Sequence, residues 1–426
     1  MYDYVIVGAG SAGCVLAARL TEDPDVKVCL IEAGPPDVSD NIHIPAMMAQ
    51  LFRSQHDWDY ATHHEPALDR RRVYLPRGKG LGGSSSINAM IYIRGNRADY
   101  DGWDVDGWRF DDLLPYFLKS EDNERGASEW HGAGGPLSVS ENRSKNVIAE
   151  AMLEAALQSG RSANDDFNGA EQDGWGFYQV TQRGGRRCSA AVAYLHPALA
   201  RPNLTVETHL QVSRVVFDGT RAVGVEAQRL GETLDIRAAR EVILAAGAYN
   251  SPQLLQLSGV GPAELLTLLQ IPVVLDQPLV GQNLSDHVNC GVVYGHSHEV
   301  DLLTGLAPEM QELWLNEGRG PLASNVGEVG GFERSRDGLP APDLQWHGAP
   351  ALYADEGLAP AVQPGMALGA CLLTPNARGQ VQIISADPTV KPLIQHNYLT
   401  DPGDLAVMTE GLRRTLEIAR QDALTP

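Results

Sequence analysis

Apolar and polar positions follow two different periods in the first thirty residues. Residues 4–7 form a short apolar run that ends at glycines, and residues 11–20 then carry apolar side chains at helical spacing. Residues 26–31 are a second apolar run, long enough for a buried strand. Strand, glycine turn, helix and strand in this order predict a βαβ unit, whose parallel strands normally lie inside a covered sheet.

Later stretches predict further strands and a final helix. The runs NLTVETHLQVSRVVFDGTRAVGVEAQ (203–228) and EVILAAG (241–247) favour strands that return to the first sheet. Between residues 290 and 400, alternation such as ARGQVQIISADP is typical of an antiparallel sheet. A last helix is predicted with Asp401 as N-cap and Pro402 at its first position. Its shared face is expected to contain Leu405, Met408, Leu412 and Leu416.

Composition narrows the class of protein. The chain has 426 residues, 43% of them hydrophobic, which is enough for a large core. A net charge of −21 argues against nucleic acid or an anionic membrane as partner. No run approaches the roughly eighteen apolar residues of a membrane span, and the start of the chain does not resemble a signal peptide, so we expect a cytoplasmic protein.

No metal or disulfide site is predicted. The five cysteines are scattered without a C-x-x-C pair, which indicates neither a disulfide framework nor a zinc site. The adjacent histidines His63 and His64 point in opposite directions on an extended chain. Because no carboxylate or cysteine cluster accompanies them, we predict no bound metal.

The stretch VIVGAGSAG carries a nucleotide-binding pattern. Gly8, Gly10 and Gly13 have G-x-G-x-x-G spacing between a strand and a helix, where they allow a tight turn, approach to a pyrophosphate and close helix packing. Glu32 ends the second strand in CLIEAG, where its carboxylate can accept from ribose hydroxyls. This pattern predicts a site for ADP-ribose, which NAD and FAD share.

A second glycine-rich stretch, PRGKGLGGSSSINAM (76–90), favours the longer ligand. Its glycines and serines present successive donors, and Asn88 adds a side-chain amide. A nicotinamide enzyme needs one phosphate loop and leaves this stretch without a role. An extended flavin needs donors along its pyrophosphate, its ribityl chain and the N1–C2 edge of its ring.

With these motifs the chain resembles the glucose–methanol–choline (GMC) oxidoreductases, FAD-dependent enzymes that oxidise alcohols. Residues 78–94 are similar to the family's first signature and residues 247–261 to its second, with further similarity in DWDYAT, HGAGGPL, CSAAVAYLHPAL, LVGQNLSDH and NYLTDPGDL. The resemblance implies a mixed α/β fold, α+β overall. It has a discontinuous Rossmann-like FAD domain (1–110 and 200–290) and a substrate domain (111–199 and 291–426) with an antiparallel sheet flanked by helices.

The resemblance also implies functional residues. Some members attach FAD through a histidine just before the asparagine of the second stretch; Ile87 stands there, so noncovalent FAD is expected. Asn325 and His347 resemble positions that face the substrate, while His287 is interpreted as structural. The implied cofactor-binding residues are Gly8, Gly10, Ser11, Gly13, Glu32 and Ala33, then Gly82, Gly83, Ser84, Asn88 and Met90 at the flavin edge, with Val212 at the adenine, and Gly247.

The family's usual catalytic histidine region is not found before Pro426. Either the sequence is a shortened form of a longer enzyme whose base lies further on, or the protein lacks that base. The resemblance implies oxidation of a small alcohol by hydride transfer to flavin N5, with oxygen or a quinone-type acceptor reoxidising the flavin. A flavin-containing lyase or decarboxylase, and a noncatalytic FAD-binding protein, remain alternatives.

Overall fold

The computed structural model describes residues 1–297, 300–359 and 363–425. Its strands, in chain order, are β1 (Tyr2–Val7), β2 (Val28–Ile31), β3 (Tyr60–Ala61), β4 (Tyr74–Leu75), β5 (Glu121–Asn123), β6 (Leu137–Val139), β7 (Gly174–Phe177), β8 (Gln182–Arg183), β9 (Arg186–Arg187), β10 (Leu204–Glu207), β11 (Gln211–Asp218), β12 (Arg221–Arg229), β13 (Glu232–Leu244), β14 (Val260–Gly261), β15 (Leu275–Asp276), β16 (Asn289–Gly295), β17 (Val329–Glu333), β18 (Leu344–Ala349), β19 (Gly365–Leu372), β20 (Gln380–Gln382) and β21 (Leu393–Gln395). Its α-helices are α1 (Ser11–Leu20), α2 (Asp40–His43), α3 (Arg97–Asp101), α4 (Phe110–Ser120), α5 (Val147–Gln158), α6 (His196–Ala198), α7 (Gly247–Leu257), α8 (Ala263–Leu268), α9 (Pro308–Glu317) and α10 (Pro402–Ile418).

The first sheet has the order β10-β2-β1-β13-β12-β11. Strands β10, β2, β1 and β13 are parallel, and β11 to β13 form an antiparallel meander. Alternate residues of β1 enter two different cores: Ile6 packs with α1, whereas Val5 and Val7 pack towards α7. Burial on both faces explains why the strands of the βαβ unit are continuous apolar runs.

The second sheet, β16-β19-β18-β17-β7, has only antiparallel neighbours. Helices α5 and α10 pack on it, around the fully buried Trp175 and Trp346. The predicted strand in ARGQVQIISADP is β20, which pairs with β21 in a separate two-stranded sheet. The mixed α/β architecture is therefore as predicted, and no helix in the described ranges is long and apolar enough to cross a bilayer.

The last helix begins as predicted but turns a different face to the core. The side chain of Asp401 accepts from the backbone N–H groups of Gly403 and Asp404. The buried positions are Asp404, Met408, Gly411, Thr415 and Ile418, so only Met408 of the predicted face is buried. Small residues face the sheet because it lies close: a Cβ on Gly411 would come within 2.9 Å of the Ala370 Cβ. The Trp346 indole also donates to the Thr415 hydroxyl at 2.9 Å.

One segment lies on the other side of the predicted domain division. The π-helical turn Ala191–Leu195 and α6 pack in the core of the first sheet, against α1. The prediction assigned residues 111–199 to the second domain. The apolar run AVAYL contains no signal for which of two sheets it covers, since both sheets present apolar faces.

Candidate cofactor site

A cleft of about 660 Å³ opens at the carboxyl ends of β1, β2 and β13. This is the place where open parallel sheets bind nucleotides. Two glycine-rich segments contribute to its wall: residues 8–13, here called the first glycine loop, and residues 78–90, the second glycine loop. The predicted residues that line the cleft are Gly8, Gly10, Ser11, Glu32, Ala33, Gly83, Ser84, Val212 and Gly247.

Backbone contacts explain the glycines of the first loop. A Cβ on Gly13 would lie 1.9 Å from the carbonyl oxygen of Gly8, and one on Gly8 would lie 2.6 Å from the oxygen of Ala245. At Gly10 the nearest atoms would be 3.9 Å away or more, so the space beside the N-terminus of α1 is open. Open space bounded by helix amides fits a pyrophosphate.

The second glycine loop lies directly against the first. The Gly82 N–H donates to the carbonyl of Ala9 at 2.8 Å. A Cβ on Gly83 would come within 2.6 Å of the Gly10 Cα. Gly82 and Gly83 both have left-handed backbones, with φ of 87° and 54°. The two glycine segments therefore form adjoining walls of one cleft that suits an elongated dinucleotide such as FAD.

Glu32 ties the two loops together. One carboxylate oxygen accepts from Ala9 N–H at 2.9 Å, and the other accepts from Gly34 and Gly80 N–H at 2.8 and 3.0 Å. Burial raises the pKa of Glu32, while these backbone donors act in the opposite direction. The sequence predicts the carboxylate at the cleft, but its contact with the second loop is evident only in the structure. A carboxylate has about four acceptor sites, so capacity remains for a ribose hydroxyl.

The other predicted cofactor residues are not among those that line the cleft. Gly13 and Gly82 are buried within the loops. Asn88 is exposed, and its side-chain oxygen accepts from Met90 N–H at 3.1 Å. Met90 is buried with a left-handed backbone, φ 55°, and its carbonyl accepts from Thr181 N–H at 2.8 Å.

Sequence reasoning did not assign the aromatic and cationic wall of the cleft. The rings of Trp58 and Tyr60 are nearly parallel with centroids 6.0 Å apart, and the Lys79 ammonium lies 4.6 Å from the Trp58 ring. Arg77 donates to the Tyr249 hydroxyl at 2.9 Å. Flat rings and fixed cations can contact the planar and anionic parts of a dinucleotide. The sequence signal for this wall lies in the aromatic residues of DWDYAT and the cationic residues of PRGKG.

A buried histidine lies behind this wall. The Nε2 of His396 is 2.9 Å from the Tyr249 hydroxyl, and its ring stacks on Tyr398 at 4.6 Å. Burial lowers the pKa of His396 to about 4, so the imidazole is neutral at physiological pH.

The two predicted substrate residues lie outside the cleft. Asn325 is completely buried: its Nδ2 donates to the carbonyls of Ala89 and Gly327 at 2.9 and 2.8 Å, and its Oδ1 accepts from Asn142 Nδ2 at 2.8 Å. Asn325 therefore joins the second glycine loop to the turn before β17. Direct contact with a substrate would require this network to open.

His347 lies on β18 with its ring 6.0 Å from that of Tyr178. Its Nδ1 is buried and has no hydrogen-bond partner within the described ranges. Burial lowers the pKa of His347 to about 4, so a neutral imidazole with one uncommitted nitrogen is present at neutral pH.

Comparison with known proteins identifies this arrangement. A family model described as GMC oxidoreductase, N-terminal part, matches residues 2–289, and its C-terminal counterpart matches residues 375–426. The chain belongs to the GMC oxidoreductase family. It is therefore an FAD-dependent oxidoreductase that acts on CH–OH donors, as the sequence predicts.

Relatives of this GMC oxidoreductase cover its whole length. Mitochondrial choline dehydrogenase from Homo sapiens is 44% identical over 100% of this chain and 74% of its own length. Oxygen-dependent choline dehydrogenase from Paraburkholderia xenovorans is 44% identical over 99% of this chain and 78% of its own length. The crystal structure of pyridoxine 4-oxidase from Mesorbium loti matches with a TM-score of 0.89 and 31% identity, covering 100% of this chain and 81% of the other.

Proposed function

We propose that this GMC oxidoreductase oxidises a small primary alcohol bearing a quaternary ammonium group, such as choline, to the aldehyde. The observation that carries the proposal is 44% identity over the full chain to proteins named choline dehydrogenase from Homo sapiens and Paraburkholderia xenovorans. The net charge of −21 supports it, because an acidic protein raises the local concentration of a cationic substrate.

The cleft supplies the residues that would hold FAD. We also propose the domain division predicted from the sequence, with residues 191–198 moved to the FAD domain because they pack against α1. Amides at the N-terminus of α1 would bind the pyrophosphate, Glu32 would accept from the ribose, and the second glycine loop with Asn88 would contact the flavin edge. Ile87 is buried and offers no nucleophile, so we propose noncovalent attachment. When bound, FAD supplies the hydride-accepting group.

His347 is proposed as the substrate-contacting residue of this chain. Its neutral imidazole can accept a hydrogen bond at Nδ1, which a protonated ring could not. Oxygen is the first acceptor to test, since the Paraburkholderia relative is named oxygen-dependent. The human relative is named mitochondrial, and the cytoplasmic location predicted from the sequence stays a proposal.

An anaerobic titration tests the substrate. The purified protein loaded with FAD should lose its oxidised-flavin absorbance when choline is added. The uncharged isostere 3,3-dimethylbutan-1-ol should require a concentration at least tenfold higher, because it lacks the charge. Equal response to both alcohols, or bleaching by neither, would contradict the proposal.

A second candidate substrate is an aromatic hydroxymethyl compound such as pyridoxine. The pyridoxine 4-oxidase structure superimposes on the whole chain with 31% identity. Bleaching by pyridoxine without bleaching by choline would favour this candidate.

A further inference from the structure

Arg187, in the short strand β9, is a buried cation without a carboxylate partner. Its side chain is 2% exposed and is among the largest fully enclosed side chains of the protein. Burial alone lowers its pKa, and no acidic group in the described part of the chain forms an ion pair with it. The other enclosed arginine, Arg94, is by contrast paired with Glu121 at 2.7 Å.

The guanidinium of Arg187 is directed at the second glycine loop. Its Nη1 donates to the carbonyl of Ser85 at 3.1 Å, to the carbonyl of Asn88 at 2.7 Å and to the side-chain oxygen of Asn88 at 2.9 Å. Its Nε donates to the carbonyl of Ile42 at 2.8 Å. The remaining nitrogen, Nη2, is buried without a partner among the described residues. One side chain thus holds both ends of the turn from Ser85 to Asn88.

Burying this charge is unfavourable unless another group compensates it. Moving an unpaired cation out of water is strongly unfavourable, even after the protein relaxes. The carbonyl dipoles of the loop compensate only part of that cost, since no carboxylate among the described residues pairs with the guanidinium. Burial lowers the pKa of Arg187 to about 9, so the group stays charged at neutral pH. An anion that forms near Asn88 would be attracted by this charge, because the guanidinium donates directly to Asn88.

A flavin edge is such a group, because negative charge collects at its N1–C2 side on reduction. We propose that Arg187 is a positioning residue that shapes the second glycine loop for the flavin, and that its charge favours the reduced over the oxidised cofactor. This rests on the proposed placement of the flavin edge at Gly83, Ser84 and Asn88. In the catalysed reaction the alcohol supplies the two electrons that reduce the flavin, so this reduction needs no further reductant.

The test measures two quantities for each protein, with no alcohol present. They are the dissociation constant of oxidised FAD and the two-electron midpoint potential of the bound flavin. The variants are R187M, which removes the charge and the donors, and R187K, which keeps the charge but reaches fewer acceptors. R186M is the matched control, because it removes a charge from the exposed neighbour in the same strand, whose guanidinium lies 4.9 Å from the Trp314 ring.

In R187M we expect oxidised FAD to bind at least tenfold more weakly. The preference for reduced over oxidised FAD should fall a further tenfold, which is about 30 mV towards more negative potential for a two-electron couple. R187K should bind oxidised FAD about tenfold more weakly with its potential within about 10 mV of the wild type, and R186M should change neither quantity.

An unchanged potential in R187M, or unchanged FAD affinity in R187K, would overturn the proposal. Should R187M fail to fold, R187Q replaces it in the same comparison and R187K still decides the positioning role. A wild-type protein that binds no FAD at all would instead contradict the proposed cofactor site. An error in the proposed substrate leaves these measurements unaffected, because no substrate is used.

Discussion

The two glycine loops meet in one cleft, but they hold their shapes in different ways. In the first loop, the glycines make close contacts with backbone atoms: Gly13 approaches Gly8, and Gly8 approaches Ala245. Glu32 adds one side-chain contact there, to Ala9 N–H. In the second loop, the shape depends on side chains from distant parts of the chain, Glu32 and Arg187. The first loop is thus specified mainly by the spacing of its glycines, and the second mainly by the tertiary structure around it.

This difference predicts two different effects of mutations in the two loops. A side chain added to the first loop must push apart a strand and a helix of the first sheet, so it should destabilise the whole domain. Removing a remote support of the second loop should leave the sheet folded and weaken cofactor binding instead.

The largest effect is expected for Gly13→Ala. The added Cβ would lie 1.9 Å from the Gly8 carbonyl, and backbone cannot move aside as a flexible side chain can. We expect a loss of about 3 kcal/mol or more in stability, or failure to accumulate as soluble protein. Thermal unfolding measures this. Gly219→Ala, in a turn with open space around it, should lose only about 1–2 kcal/mol through its left-handed backbone. Equal losses in the two variants would contradict the argument.

Glu32→Gln should weaken FAD binding by at least tenfold. The glutamine side chain would have an NH₂ group in place of one carboxylate oxygen. That group would face either the N–H of Ala9 or the N–H groups of Gly34 and Gly80, and a buried donor would lose its acceptor. The stability cost is about 1–3 kcal/mol. Fluorescence titration gives the affinity, and the exposed Glu22→Gln serves as control. A variant with wild-type affinity would show that Glu32 is not needed to join the two loops.

A cluster of charged side chains around His131 should make the stability of the protein depend on pH. Arg94 ends the first family signature and pairs with Glu121, which also contacts His131 at 3.0 Å. His131 further contacts Asp166 at 2.9 Å. The Asp166 and Glu121 carboxylates raise the pKa of His131 to about 9.

Because its folded-state pKa is raised, the protonated His131 contributes fully below pH 6.5, and the contribution is lost as pH rises through about 9. At pH 6.5 the free energy of unfolding of the wild type should exceed that of His131→Gln by on the order of 1–3 kcal/mol. This difference should largely disappear above pH 9.5. Unfolding temperatures across this range measure the difference. The exposed His63→Gln serves as the control variant. A stability difference between the wild type and His131→Gln that does not change with pH would refute the assignment.

The smallest effect is expected for Ser85→Ala. The Ser85 hydroxyl donates to the Gly82 carbonyl at 2.6 Å and accepts from Ala190 N–H at 2.9 Å. The loss should be about 1 kcal/mol in stability, with FAD binding weakened by less than tenfold. Parallel measurements on Ser285→Ala, whose exposed hydroxyl has no hydrogen bond among the described residues, give the baseline. An effect on FAD affinity as large as that of Glu32→Gln would show that the second loop depends on local bonds more than on its remote supports.

Prediction from sequence succeeded where adjacent residues carry the information. The βαβ unit, its glycine turn and the Asp401 cap depend on contacts within a few residues. It failed for the core-facing side of α10, because the closeness of the sheet favours Gly411 and Thr415 over the larger leucines.

The sequence by itself determined the first glycine loop, the covered parallel strands and the family. Each follows from spacing, period or a long local pattern. Only the tertiary structure decided how the second loop is held, since the partners of Glu32, Arg187 and Asn325 lie on distant segments. Hydrogen bonds between remote groups depend on relative position in space, and no periodicity along one chain records that position.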